Sequence, residues 1–196
     1  MSPYPVKVTV PAIVDRAREM IVQEGYDGLT LARLAAALGI RAPSLYNHFR
    51  DKSELVREIN RMTYVALTAA MMDARIPDAE PVEAFLNMMR AYRGFASRNA
   101  VLYRLAFVSM SDGELFDREV YAALAQPMQE VVAQLCGEER ALPVLRGAWA
   151  LAHGFAMLEM SAQFNRGGSL DEAYEAAIAT YLTGIISRAN DDLLRL

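Results

Sequence analysis

The segment from Gly39 to Lys52, GIRAPSLYNHFRDK, concentrates side chains that can hydrogen-bond, stack and carry positive charge. Tyr46, Asn47 and His48 follow one another, and from Arg41 onward the segment holds three basic side chains against one acidic side chain. Aromatic, amide and cationic groups in this mixture suit contacts with the base edges and phosphates of duplex DNA. In isolation, a tyrosine and a histidine at this spacing are more often a packed surface pair. The neighbouring elements must therefore decide between the two interpretations.

Three helices with readable ends surround this segment. Thr9 is a typical cap for the first helix, and Gly25 is a typical end. Thr30 caps the second helix, which is short and apolar and which Gly39 closes. Pro43 stands in the first turn of the third helix. Two helices joined by a tight turn that contains glycine form the outline of a helix-turn-helix.

The third helix has a buried face and an outer face. If Leu45 points into the core, a rotation of about 100° per residue places Phe49 beside it. We expect these two side chains to pack with Leu34, Leu38, Ile40, Leu55 and Ile59. The outer face then carries Pro43, Ser44, Tyr46, Asn47 and His48. In a helix-turn-helix, such a face enters the major groove.

Basic side chains flank the third helix on both sides. The spacing of Asp51 and Glu54 predicts a capping box at the start of a long fourth helix. Lys52 would then lie in the first turn of that helix, where free N–H groups and the helix dipole favour a phosphate. Arg41 and Arg50 could pair with phosphates on either side.

The stretch GLTLARLAAALGIRAPSLYNHFRDKSELV resembles the DNA-binding region of the TetR family of bacterial transcriptional regulators, whose signature ends in Leu-Tyr-x-His-Phe-x-x-Lys. The resemblance extends from about Pro11 to Leu55. It implies DNA contacts from Thr30, Arg41, Ser44, Tyr46, His48 and Lys52. Asn47 varies within the family and is a candidate for sequence choice. Many members have serine at the position of Arg41, so this side chain could read a base or clamp a phosphate.

The composition indicates a soluble, cytoplasmic, mostly helical protein without a membrane span. The chain has 196 residues, 54 % of them hydrophobic, and no long charge-free run. A single cysteine, Cys136, excludes an internal disulfide, and two distant histidines are too few for a metal site.

The net charge is −4, but residues 1–60 carry +1 and residues 61–196 carry −5. A weakly basic tip on an acidic body is compatible with a DNA reader of small contact area.

The predicted architecture is all-α, with two domains. Residues 1–55 are predicted to form a helix-turn-helix DNA-binding domain, which the fourth helix links to a helical ligand-binding and dimerisation domain at residues 56–196. Further helices are predicted at Val82–Ser97, Ala100–Met110, Gly113–Cys136, Ala141–Phe164 and Leu170–Asn190. The last two helices carry small residues on more than one face, which suits a homodimer interface between two equivalent pairs.

A second stretch, GAWALAHGFAMLEM, resembles the Trp-x-x-x-His-Gly type of TetR-like C-terminal domain. That resemblance implies an effector cavity, and the aromatic and methionine content favours an apolar or aromatic ligand. The candidate ligand-binding residues are Tyr92, Phe95, Tyr103, Phe107, Trp149 and His153. Most side chains at such spacings are core. His153 could equally be a polar handle for the ligand or a core histidine.

The sequence thus predicts a ligand-responsive transcriptional regulator, a repressor that binds a palindromic operator as a homodimer and needs no cofactor. One alternative is a helical adaptor that binds proteins without binding DNA. A less favoured alternative is an enzyme, because no nucleophile elbow, phosphate-binding loop or metal-ligand spacing occurs. The effector, the operator sequence and the choice between repression and activation are not encoded in a readable pattern.

Overall fold

The computed structural model describes residues 8–76, 79–108 and 118–193. Across these residues the chain is helical, without a strand, as predicted. The helices are α1 Val10–Gly28, α2 Leu31–Ala37, α3 Ala42–Tyr46, α4 Lys52–Asp73, α5 Pro81–Arg98, α6 Ala100–Val108, α7 Arg118–Cys136, α8 Glu138–Met160 and α9 Leu170–Leu193. They form two compact units, and the division falls inside α4 after Tyr64.

The first unit contains the described residues up to Tyr64 and also α6, because the chain returns to it at Asn99. The two leucines of α6, Leu102 and Leu105, belong to the same buried cluster as the N-terminal helices. The other members of this cluster are Ile13, Val14, Ala17, Met20, Ile21, Leu29, Leu34, Ala35, Leu45, Phe49, Leu55, Val56 and Ile59. The predicted core residues Leu38 and Ile40 are partly buried against it.

At α1 the predicted Thr9 cap is confirmed, whereas the helix ends at Gly28 rather than at Gly25. The Thr9 hydroxyl accepts a hydrogen bond from the Ala12 N–H at 3.4 Å and caps the helix. Gly25 adopts φ 78° and ψ 172°, which interrupts the helical backbone before the final turn. The turn after Gly25 ends at Leu29, whose N–H donates to the Tyr26 carbonyl at 3.2 Å.

The turn between α2 and α3 is defined by backbone hydrogen bonds. Gly39 has φ +67°. Its N–H donates to the Ala36 carbonyl at 3.1 Å, and the Ile40 N–H donates to the Ala35 carbonyl at 3.0 Å. This is the Schellman arrangement, in which a left-handed residue ends the helix and satisfies its last carbonyls. The predicted role of Gly39 is confirmed.

The second unit contains the described residues from Val65 to Arg98 and those from Arg118 onward. Within it, α8 packs against α5, α7 and α9. Its buried side chains form one stripe at spacings of three and four residues, namely Ala141, Leu145, Ala148, Ala152 and Ala156. By length and composition, α8 is the one helix in the described part of the chain that could cross a membrane.

Both ends of α8 differ from the prediction by three or four residues. Helix α8 begins at Glu138 rather than Ala141, because Glu138 and Glu139 favour its first turn through the helix dipole. It ends at Met160 rather than Phe164, because Ala162 adopts φ 52° and the Gln163 N–H donates to the Leu158 carbonyl at 2.9 Å. The predicted end of α6 at Met110 and start of α7 at Gly113 lie outside the described residues.

Candidate nucleic-acid interface

Helix α3 is anchored on one side only. Leu45 is fully buried and Phe49 is 5 % exposed. The hydrogen bonds from the His48 and Phe49 N–H groups to the Leu45 carbonyl, 2.9 and 3.0 Å long, fold the chain after α3 so that both apolar side chains enter the core. The predicted outer residues are all exposed, namely Pro43, Ser44, Tyr46, Asn47 and His48. Tyr46 is 55 % exposed.

The residues at the edges of this face have defined local roles. Thr30 caps α2 by accepting a hydrogen bond from the Arg33 N–H at 3.2 Å. Its hydroxyl hydrogen is left to donate to another group. Arg41 is the cap residue of α3, but its side chain makes no capping hydrogen bond, and it is exposed. Thr30 and Arg41 therefore stand exposed at the starts of the two helices of the helix-turn-helix.

Lys52 is held by the end of α1. Its Nζ donates to the Tyr26 carbonyl at 2.8 Å and lies 3.7 Å from the centroid of the Tyr26 ring. Burial lowers the pKa of Lys52, while the nearby Asp27 carboxylate raises it by a smaller amount. The ammonium group is therefore already oriented in the first turn of α4.

The start of α4 differs in detail from a capping box. The Asp51 carboxylate accepts the Glu54 N–H at 2.8 Å, as predicted. The Glu54 carboxylate, however, accepts from the N–H of Arg50 at 2.6 Å and from its Nε at 3.2 Å. These bonds lower the pKa of Glu54, mainly through the Arg50 backbone. The Arg50 charge is thus paired, which weakens the expectation that it clamps a phosphate.

Four of the six predicted ligand-binding residues form two pairs of contacts, one in each unit. In the first unit, the Phe107 ring centroid lies 4.4 Å from that of Tyr103 and 4.8 Å from that of Tyr64. In the second unit, the Trp149 Nε1–H donates to the Tyr92 hydroxyl at 3.1 Å, with the two rings edge to face.

The burial of these residues is uneven. Tyr92, Phe95 and Tyr103 are buried, whereas Phe107, Trp149 and His153 are partly exposed. Burial lowers the pKa of His153, which favours the neutral imidazole. The aromatic side chains therefore have packing roles in the described structure, and their contact with an effector stays a prediction.

A polar cleft of about 280 Å³ in the second unit was not foreseen from the sequence. At its centre, Arg93 pairs with Glu159 at 2.6 Å and with Asp171 at 2.8 Å. These bonds, led by that to Glu159, raise the pKa of Arg93. Beside it, Arg90 pairs with Glu175 at 2.7 Å. The partners are 66 to 85 residues apart in the chain, so only the fold reveals them.

No group of His, Cys, Asp and Glu residues suited to a metal ion occurs in the described ranges. Cys136 is a free thiol, and burial raises its pKa, which makes it less reactive as a nucleophile.

Two family models match the chain. Residues 13–59 match the model described as bacterial regulatory proteins, tetR family, and residues 85–181 match the model described as tetracyclin repressor-like, C-terminal domain. The first match contains α2, α3 and the start of α4, which carry the interface described above. The second contains Trp149 and His153.

Curated relatives have the same character. An uncharacterized HTH-type transcriptional regulator of Bacillus subtilis strain 168, YobS, is 29 % identical over 95 % of this chain and 96 % of its own length. A second uncharacterized HTH-type transcriptional regulator, Rv0681 of Mycobacterium tuberculosis, is 33 % identical over 80 % of this chain and 72 % of its own length.

Solved structures share the fold. A protein of unknown function from Rhodococcus sp. RHA1 superimposes with a TM-score of 0.80 at 26 % identity, over 95 % of this chain and all of that one. BioQ bound to its double-stranded DNA operator has a TM-score of 0.64 at 19 % identity, over 92 % of this chain and 99 % of that one. The family models and the relatives confirm the prediction that the protein is a transcriptional regulator rather than an enzyme. The chain belongs to the TetR family of bacterial transcriptional regulators.

Proposed function

We propose that the protein is a ligand-responsive repressor that acts in the cytoplasm and binds a palindromic operator as a homodimer. The observation that carries the proposal is the outer face of α3. It presents exposed hydroxyl, phenol, amide and imidazole groups from a helix whose opposite side is fixed in the core by Leu45. Polar groups presented on a rigid helix are what reading of base edges in the major groove requires.

The proposed contacts fall into two classes. Ser44, Tyr46, Asn47 and His48 reach base edges and the adjoining phosphates, and Asn47 contributes to sequence choice. Thr30 and Lys52 contact phosphate through a hydroxyl and an ammonium group, which positions the protein without reading sequence. Arg41 is exposed at the start of α3 and contacts either a base edge or a phosphate.

Homodimerisation through α8 and α9 is supported by the surface of α9. Its small residues Ala173, Ala176, Thr180, Thr183 and Ser187 are exposed and lie at spacings of three and four, so they share one face. The Thr180 and Thr183 hydroxyls donate to carbonyls of their own helix at 2.7 and 2.9 Å. The stripe therefore exposes few free polar groups and permits close approach of another helix. A two-fold dimer would present its α3 helices to half-sites about 34–36 Å apart.

The proposed effector is a small apolar or aromatic molecule. The aromatic residues named above favour such a ligand, and Trp149 and His153 lie at partly exposed positions. Helix α4 is continuous from Lys52 to Asp73, so it belongs to both units and can transmit a displacement. A coupling free energy of about 1–3 kcal/mol would lower operator affinity roughly 5- to 150-fold.

The test is operator binding by the double variant Tyr46→Ala/His48→Ala. We expect it to lose binding to the DNA upstream of its own gene in a gel shift, while its thermal unfolding and oligomeric state stay unchanged. Val101→Ala is the matched control, because Val101 is 42 % exposed in the same unit but lies on α6. Unchanged DNA affinity of the double variant would refute the assignment of α3. The wild-type protein should bind DNA more weakly at the higher of two salt concentrations. A protein adaptor should show no such salt-dependent DNA binding.

A further inference from the structure

Tyr26 is an exposed aromatic residue whose ring has a specific partner. The residue is 42 % exposed, so burial does not explain an aromatic side chain at this position. Its face instead covers the Lys52 ammonium at 3.7 Å from the ring centroid, and the Tyr26 carbonyl accepts from the same ammonium at 2.8 Å. One residue therefore contacts the Lys52 charge twice, once through its ring and once through its backbone.

The backbone around Tyr26 is arranged for this contact. Gly25, at φ 78°, turns the chain out of the α1 helix just before Tyr26. The final carbonyls of α1 then receive cations from two other helices, with Lys52 of α4 on Tyr26 and Arg33 of α2 on Gly28. Cations at the carbonyl end of a helix are favourable. This arrangement fixes the first turn of α4 against the end of α1.

Holding Lys52 in this way changes what its ammonium group can do. A lysine side chain has a flexible four-carbon stem and loses conformational entropy when its end is fixed on a phosphate. The Tyr26 contacts restrict the stem before DNA arrives. An ammonium group has several N–H donors, so it can keep the carbonyl bond and still donate to a phosphate oxygen.

We propose that Tyr26 is a positioning residue for DNA binding, which holds the Lys52 ammonium in the first turn of α4 where it meets a backbone phosphate. The inference rests on the proposed function, because it requires Lys52 to contact DNA. Burial also lowers the pKa of Lys52, which is consistent with an ammonium group that has lost part of its water before binding.

The substitution Tyr26→Leu removes the ring face but keeps the backbone carbonyl, and Tyr26→Phe keeps the ring. A cation over an aromatic ring at a partly exposed site contributes enough to change affinity roughly two- to five-fold. We expect Tyr26→Leu to weaken DNA binding by that factor and Tyr26→Phe to bind like the wild type. Because a phosphate contact carries no sequence information, the loss should be equal for the upstream DNA and for an unrelated duplex.

The experiment is a double-mutant cycle measured by fluorescence anisotropy on both duplexes. It compares the wild type, Tyr26→Leu, Lys52→Ala and the double variant, with thermal unfolding as a check on folding. We expect Lys52→Ala to weaken binding and to reduce the slope of log affinity against log salt by about 0.9. In the Lys52→Ala background, Tyr26→Leu should then have no further effect.

The outcomes distinguish the phosphate contact of Lys52 from the positioning role of Tyr26. If Lys52→Ala changes neither affinity nor salt slope, the phosphate contact assigned to Lys52 in the proposed function is wrong. If Lys52→Ala weakens binding but Tyr26→Leu does not, only the positioning role is refuted. That role is also refuted if Tyr26→Leu keeps its full effect without Lys52, or if Tyr26→Phe binds as weakly as Tyr26→Leu.

Discussion

Gly147 of α8 permits a contact that an alanine would forbid. A Cβ atom at this position would lie 2.1 Å from the Tyr181 hydroxyl oxygen and 3.0 Å from its Cζ. The Tyr181 hydroxyl lies there because it donates to the Val144 carbonyl at 2.7 Å, which joins α9 to α8. The substitution Gly147→Ala must therefore displace the Tyr181 ring and break this hydrogen bond.

The expected loss follows from three terms. Overpacking at a helix contact costs about 1–3 kcal/mol, and the net loss of one hydrogen bond costs about 0.5–1.5 kcal/mol. Alanine in place of glycine within a helix returns about 0.8–1.0 kcal/mol. We therefore expect the free energy of unfolding to fall by about 0.5–3.7 kcal/mol, despite the better helix propensity of alanine.

Denaturant unfolding followed by circular dichroism measures this change, with all variants at the same protein concentration because the stability of the proposed homodimer would depend on it. Gly94→Ala in α5 is the control. Its Cβ would meet only the flexible end of Arg98, with Nη1 at 3.0 Å, so it should gain up to about 1 kcal/mol. Adding Tyr181→Phe to Gly147→Ala removes the oxygen at 2.1 Å but leaves Cζ at 3.0 Å, so it should recover part of the overpacking term. A Gly147→Ala variant as stable as the wild type would refute the reasoning.

Four further predictions concern other positions. Ala162→Gly should raise the free energy of unfolding by about 0.5–1 kcal/mol in the same denaturant assay, because Ala162 has φ 52° at the end of α8. Asn60→Leu should raise it by about 1–3 kcal/mol, because the buried Asn60 amide has no hydrogen-bond partner among the described residues; a loss of stability would show that the amide is needed. His153 has a folded-state pKa below its unfolded value, so the protein should lose stability as the pH falls below about 6.5. His153→Gln should flatten that dependence in thermal unfolding at several pH values. Thr180→Arg should yield monomers in sedimentation equilibrium, and a persistent dimer would place the subunit interface elsewhere.

The sequence predicted well those features that depend on residues close together in the chain. The Thr30 cap, the Gly39 turn and the burial of Leu45 each depend on a few neighbouring residues, and the structure confirms them. The end of α8 was missed because an alanine occupies the left-handed position, where the usual signal is glycine.

Contacts between distant segments could not be predicted in the same way. Lys52 and Tyr26 are separated by 26 residues, and the ion pair between Arg93 and Asp171 by 78 residues. A charged residue on a helix has many possible partners, and only the packed fold selects one. The aromatic side chains predicted to bind the ligand illustrate the same limit, because their spacing in the sequence is the same whether they line a cavity or fill a core.

The return of α6 to the first unit limits how this regulator can be divided in the laboratory. A fragment that stops within α4 keeps α3 but lacks Leu102 and Leu105, which are 6 % and 8 % exposed in the intact protein. Each buried leucine stabilises a core by about 1.5–3 kcal/mol, and its absence would leave an apolar surface open to water. A chimeric regulator that joins the first unit to a different ligand-binding domain would therefore have to include α6 or a helix that replaces it.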